Sequence, residues 1–211
     1  MVREPLPTQV LSPDAGPRPP DIPLELQVGL LEIARATLAV AVRHADPSTL
    51  DRLVGKAGEG DLHAGVFVTL KKHGQLRGCI GTIDDSRWLR GAVVSATLGA
   101  ALGDPRFPPV TGLELPALDV GISILGRAVA LRTRDDFMPG VDGVIVERGG
   151  RRALLLPEVA TEFAWGTVEM LEHACRKAGL PPDAWRHPST SVSIFRTTRF
   201  HGPAAPSPRH A

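Results

Sequence analysis

The residues with the clearest potential for chemistry lie in QLRGCIGTI, positions 75–83. Read as a strand, this stretch alternates faces, so Arg77, Cys79 and Gly81 share one side and Leu76, Gly78 and Ile80 the other. A guanidinium two residues from a thiol is about 7 Å away along a strand, within reach of an arginine side chain. A cation that close favours the thiolate and would make Cys79 a candidate nucleophile activated by Arg77. Gly78 and Gly81, with Thr82 beside them, would let a ligand or another backbone approach closely. Packing alone also accounts for these residues, because cysteine is among the most buried residue types and strand glycines mark bulges.

A second candidate is GDPRFPP, positions 103–109. Pro105, Pro108 and Pro109 stiffen the segment, and it holds Asp104 and Arg106 either for each other or for a ligand. Cys175 reads differently. With Val168, Leu171 and Ala178 it falls on the apolar stripe of a helix, which points to core packing. Spacing alone leaves a Cys79–Cys175 link open. No metal site emerges: Glu169 and His173 are one helical turn apart but lack a third ligand, and there is no Cys-x-x-Cys pair. The phosphate-cradling glycine motifs of nucleotide sites are missing, so no cofactor is expected. Arg151 and Arg152, beside Gly149-Gly150, read as a solvated hairpin end.

These residues need elements to position them. Leu26, Leu30, Ala34, Leu38, Ala41 and Ala45 line one face of a helix over 24–45, stopped by Asp46-Pro47. The glycine-rich, charged stretch 50–65 reads as loop. VFVTLKKHGQLRGCIGTI is a hairpin turning at His73-Gly74. Ser86 is placed to cap a second helix carrying Leu89, Val93, Ala96 and Ala100, which Gly103 would end. Strands follow at 118–125 and in RAVAL, then a hairpin over 143–156, a helix over 167–178 closed by Gly179, and one final strand over 191–200. Hairpins mixed with separate helices predict an α+β fold with largely antiparallel sheets.

Composition sets the outer bounds. The chain has 211 residues, 43% hydrophobic and 22% charged, with a net charge of +1. Those are the proportions of an ordinary globular protein with a real core. The charge balance gives no argument for nucleic acid, and with 4% aromatics and no tyrosine there is little to stack bases on. No apolar run reaches the ~20 residues of a membrane span, and the N-terminus lacks the layout of a secretory signal. Two cysteines in such a chain suggest a cytoplasmic protein with reduced thiols. Proline-rich ends, 1–23 and 201–211, read as disordered arms around a folded body over 24–200.

GVFVTLKKHGQLRGCIGTI, with LRGCIG at 76–81, resembles the AMMECR domain family, whose prokaryotic members are labelled AmmeMemoRadiSam system protein A. The likeness continues through DPRFPP, the SIL at 123–125, DGVIVERGGRRALLLPEVA, LEHACRKAGLPPDAW and the closing strand. The resemblance implies a two-lobed single domain: a larger helix-flanked sheet, a smaller antiparallel lobe, and LRGCIG near the groove between them. It also implies association with a Memo-like protein and a radical S-adenosylmethionine protein. Any radical cluster would belong to that partner, since this chain has no Cys-x-x-x-Cys-x-x-Cys. Two readings follow. One is an accessory protein whose groove, built from Arg77, Gly78, Gly81, Thr82, Asp104 and Arg106, binds a ligand or partner; the other is an enzyme using the Cys79 thiolate.

Overall fold

The computed structural model describes residues 16–43, 46–55 and 62–205. Two four-stranded antiparallel sheets dominate, which makes the fold α+β. The first sheet is built from β1 (Val66–Lys72), β2 (Gln75–Thr82), β3 (Leu118–Leu125) and β8 (Thr197–Pro203), in the order β2-β1-β3-β8. The second holds β4 (Val129–Ala130), β5 (Gly143–Arg148), β6 (Arg151–Leu155) and β7 (Ser191–Phe195), in the order β4-β7-β5-β6.

Alternation decides what covers each face. On the first sheet Val66, Val68, Leu70, Val120, Ile122, Ile124 and Phe200 point one way. They meet α1 (Leu24–Arg43) through Leu30, Ala34 and Leu38, and α3 (Leu89–Leu98) through Leu89, Val93 and Ala96. The second sheet presents Val144, Val146, Leu155 and Ile194 to α5 (Thr167–Lys177), where Met170, Leu171, Ala174 and Cys175 are fully buried. A third apolar cluster joins the lobes: Leu125, Ile145, Leu154, Leu156 and Phe195, with Phe67 and Ile83 packed against them.

Several elements depart from the sequence reading for identifiable reasons. Asp46-Pro47 begins a further helix, α2 (Pro47–Val54), whose second half falls within the stretch 50–65 that reads as loop. The Asp46 carboxylate accepts from the Ser48 amide at 2.9 Å, and proline sits in the first turn, where its missing N–H does no harm. Ser86 does not cap α3. Its amide and hydroxyl both bond to Asp84 Oδ1 in a tight turn, and the helix starts at Leu89 after Trp88. A short helix, α4 (Pro157–Phe163), follows β6 directly, launched by Pro157 in its first turn. The stretch 191–200 is two strands, because Arg196 carries the chain from the second sheet to the first. Its guanidinium bonds the fully buried Asp142 carboxylate at 2.8 Å, which also accepts from the Met138 amide.

At the ends, residues 16–23 lie on the body: Ile22 is buried, and the Thr198 hydroxyl donates to the Pro20 carbonyl. β8 runs on to Pro203. Residues 1–15 and 206–211, like 44–45 and the middle of the loop reading, 56–61, lie outside the described residues. Among the described residues, no helix is long and apolar enough to cross a membrane.

Candidate functional site

The QLRGCIGT strand is an edge strand, and three devices hold it. The first is on its helix-side face. The backbone continues from α3 into a wider turn, Gly99–Gly103, that lies directly on β2. A Cβ on Gly78 would sit 2.0 Å from the Ala100 carbonyl oxygen, so only glycine allows this contact. The approach expected at Gly78 is therefore made by the chain's own backbone.

The second device guards the exposed edge. Asp104, 5% exposed, accepts the Cys79 amide at 2.9 Å on Oδ2. The same carboxylate takes the Arg106 guanidinium in a fork, 2.9 Å from Nε and 2.7 Å from Nη2. Arg106 Nη2 in turn reaches the Cys79 carbonyl at 3.4 Å. An Asp–Arg pair thus occupies the peptide edge where a further strand would add. Its hydrogen bonds to Arg106 and to the Cys79 amide hold the Asp104 carboxyl far below the usual carboxylate range.

The third device corrects the expected pairing of Arg77 with Cys79. Register slips between Leu70 and Lys71, which pair with Gly78 and Leu76, so Arg77 is the extra residue of a β-bulge. The bulge breaks the alternation that would place it beside the thiol. Its guanidinium instead bonds Glu114 at 3.0 and 3.2 Å and the Pro109 carbonyl at 3.2 Å. Lys72 joins the same carboxylate at 3.1 Å. These donors, with the Thr111 amide, lower the Glu114 pKa from 4.5 to about 2. Arg77 locks the loop before β3 and does not act on the thiol.

Cys79 faces the other way, onto the outer side of the first sheet. Register places Cys79, Thr69, Gly121 and His201 in one row across all four strands. The Thr69 hydroxyl and the Cys79 sulfur share a hydrogen bond at 3.3 Å. Burial is the dominant influence on the thiol and raises its pKa. The Thr69 bond, Arg106 and Lys177 pull it down, Glu158 pushes it up, and the net direction is upward. Lys177, in the last turn of α5, keeps an exposed surface, yet packing and the Arg106 cation lower its pKa. Glu158 and Lys177, from α4 and α5, thus act on the thiol through their charges.

Glu158, Lys177 and Thr69 carry no sequence signal of this role. Lys177 reads as an ordinary cation at a helix end, and α4 itself goes unseen in the pattern. Gly81 lies in the next row, where a Cβ would meet the Val66 carbonyl at 2.2 Å, so it too fits its own sheet. Thr82 is used elsewhere: its hydroxyl accepts the Asp84 amide at 3.0 Å, and it borders a different, wider cleft with Asp21, His63 and Arg127. Cys79 and Cys175 are both free thiols, the first on the outer face of the first sheet and the second on α5, buried against the second sheet. Among the described residues, no cluster of His, Cys, Asp or Glu could hold a metal ion.

A model of the AMMECR1 family matches residues 31–200. The chain belongs to the AMMECR1 family. A protein of Methanothermobacter thermautotrophicus is 48% identical over 143 residues, covering 65% of this chain and 74% of its own. One from Thermococcus onnurineus is 36% identical over 181 residues, covering 81% and 87%. The crystal structure of the uncharacterized protein PH0010 from Pyrococcus horikoshii superposes with a TM-score of 0.70 at 32% identity, over 84% of this chain and 92% of that one. The fold is thus shared with that structure, and the LRGCIG strand lies inside the region that the family model matches.

Proposed function

We propose that this AMMECR1 protein is a cytoplasmic accessory protein that works with Memo-like and radical S-adenosylmethionine proteins. Its working surface is the groove beside the LRGCIG strand, which holds a ligand or a partner segment. The observation that supports this best is the state of Cys79: a half-buried thiol, hydrogen-bonded to Thr69, whose pKa burial raises. A nucleophilic cysteine needs the opposite, a thiolate made accessible by a cation or a base. Arg77, the one activator expected from sequence, is committed to Glu114. Binding asks only for a shaped surface with fixed polar groups. Asp104 and Arg106 supply the fixation by gripping the Cys79 peptide, and Arg106 and Lys177 supply charge at the rim.

The experiment is a titration of the full chain with a purified Memo-like protein and, separately, with a purified radical S-adenosylmethionine protein. Saturable binding of at least one is expected, weakened at least about tenfold by Lys177→Glu at an unchanged melting temperature. Binding by neither, or binding indifferent to Lys177→Glu, overturns the proposal.

A further inference from the structure

The second lobe covers only part of the first sheet's outer face. Phe67 and Ile83 lie under the seam, but the rows further along β1 do not. There the surface sinks into a hollow of about 250 Å³ lined by Thr69, Lys71, Asp119, Gly121, Arg199 and His201. Such a space sits near the lower end of small-ligand pockets, roughly 300–1,000 Å³. Its floor follows from register: in the Cys79–Thr69–Gly121–His201 row, Gly121 alone has no side chain, which leaves a pit between threonine and histidine.

The rim is charged. Arg199 stands in the row above and Lys71 in the row below, and among the described residues each has only a distant carboxylate partner. Arg199 is 3.7 Å from Glu158, and Lys71 is 3.9 Å from Glu162. Both exceed the 2.7–2.9 Å or so of a charge-assisted hydrogen bond, so these cations rest near carboxylates without hydrogen-bonding them. An incoming anion can displace both partners while the two cations converge on it. Asp119, exposed beside Lys71 as its cross-strand partner, would repel a second negative group but accept a hydrogen bond from a hydroxyl.

From this we infer that the hollow binds a small organic anion, a carboxylate or phosphate that also carries a hydroxyl, clamped by Lys71 and Arg199 over the Gly121 floor. The inference rests on the groove-binding reading above and names its ligand class. Gly121 supplies an unusually clean probe. A Cβ there would lie 3.7 Å from the Thr69 carbonyl, an ordinary contact, so Gly121→Ala fills the pit without straining the sheet.

The test is an amide-resolved NMR titration of the full chain with citrate and, separately, inorganic phosphate, against sodium chloride at matched ionic strength. Saturable shifts centred on Thr69, Gly121 and Ser123 are expected for at least one of the two anions and not for chloride. Saturation by citrate alone assigns a carboxylate ligand, and by phosphate alone a phosphate. Lys71→Gln and Arg199→Gln should each weaken binding at least about fivefold, and Gly121→Ala should weaken it with the melting temperature unchanged. No saturable shift, shifts elsewhere, or shifts that survive the Lys71→Gln/Arg199→Gln double variant overturn the inference. Partner capture without anion binding overturns this inference alone, whereas anion binding without partner capture overturns only the partner reading.

Discussion

The two faces of the first sheet use the same strands for opposite purposes. The helix-side face is closed: its Val, Ile and Leu side chains are almost wholly buried under α1 and α3. Even the QLRGCIGT strand is sealed there, with the Ala100 backbone lying on Gly78. The outer face is dry only beneath the seam, then opens into a polar row in which a thiol, a hydroxyl, a glycine and an imidazole follow one another. A glycine on the first face is a packing necessity, while Gly121 on the second is vacant space. One strand pattern of period two therefore separates a packed face from an open one.

Breaking the closed face should have the largest effect. Gly78→Ala forces a methyl against the Ala100 carbonyl, which belongs to backbone and cannot rotate away. A loss of more than about 3 kcal/mol, or failure to fold, is expected in chemical denaturation. Asp104→Ala comes next, because it strips the Cys79 amide and the Arg106 guanidinium of their shared partner. Since Arg106 is 55% exposed, the loss should stay near 2–3 kcal/mol.

Acid should act through Glu114. Its folded pKa of about 2 lies below the usual 4.5, so its ion pairs stabilise the fold fully above about pH 5 and progressively less as pH falls towards 2. At about 1.4 kcal/mol per pKa unit, the difference is worth up to about 3 kcal/mol, and less after allowing for the partial exposure of Lys72. Glu114→Gln should lower stability at pH 7 and flatten its dependence between pH 5 and 2, read from urea midpoints. The smallest effect belongs to the open face: Gly121→Ala should change stability by less than about 1 kcal/mol. A large loss there would erase the contrast between the two faces.

Much of this was legible in sequence because it is periodic. Leu30, Ala34 and Leu38 in α1 and Leu89, Val93 and Ala96 in α3 repeat at helical spacing, and the LRGCIG hairpin announces itself through its turn. The pairing of Asp104 with Arg106 was also one of the two readings their spacing allowed. What stayed hidden depends on register and on distant segments. A bulge that reroutes Arg77 leaves no mark in composition, and Glu114 lies 37 residues from the arginine it binds. Lys177 and Glu158, whose charges act on the thiol, lie on helices far along the chain from it, and the change of sheet at Arg196 falls in the middle of what reads as one unbroken strand.

The most direct measurement is the alkylation rate of Cys79 as a function of pH, read from its own peptide by mass spectrometry so that Cys175 does not contribute. Free cysteine titrates near 8.5 or so. A binding surface with a half-buried thiol predicts a slow reaction whose midpoint lies above that value. A fast reaction with a midpoint below about 7 would show a working thiolate and contradict the account.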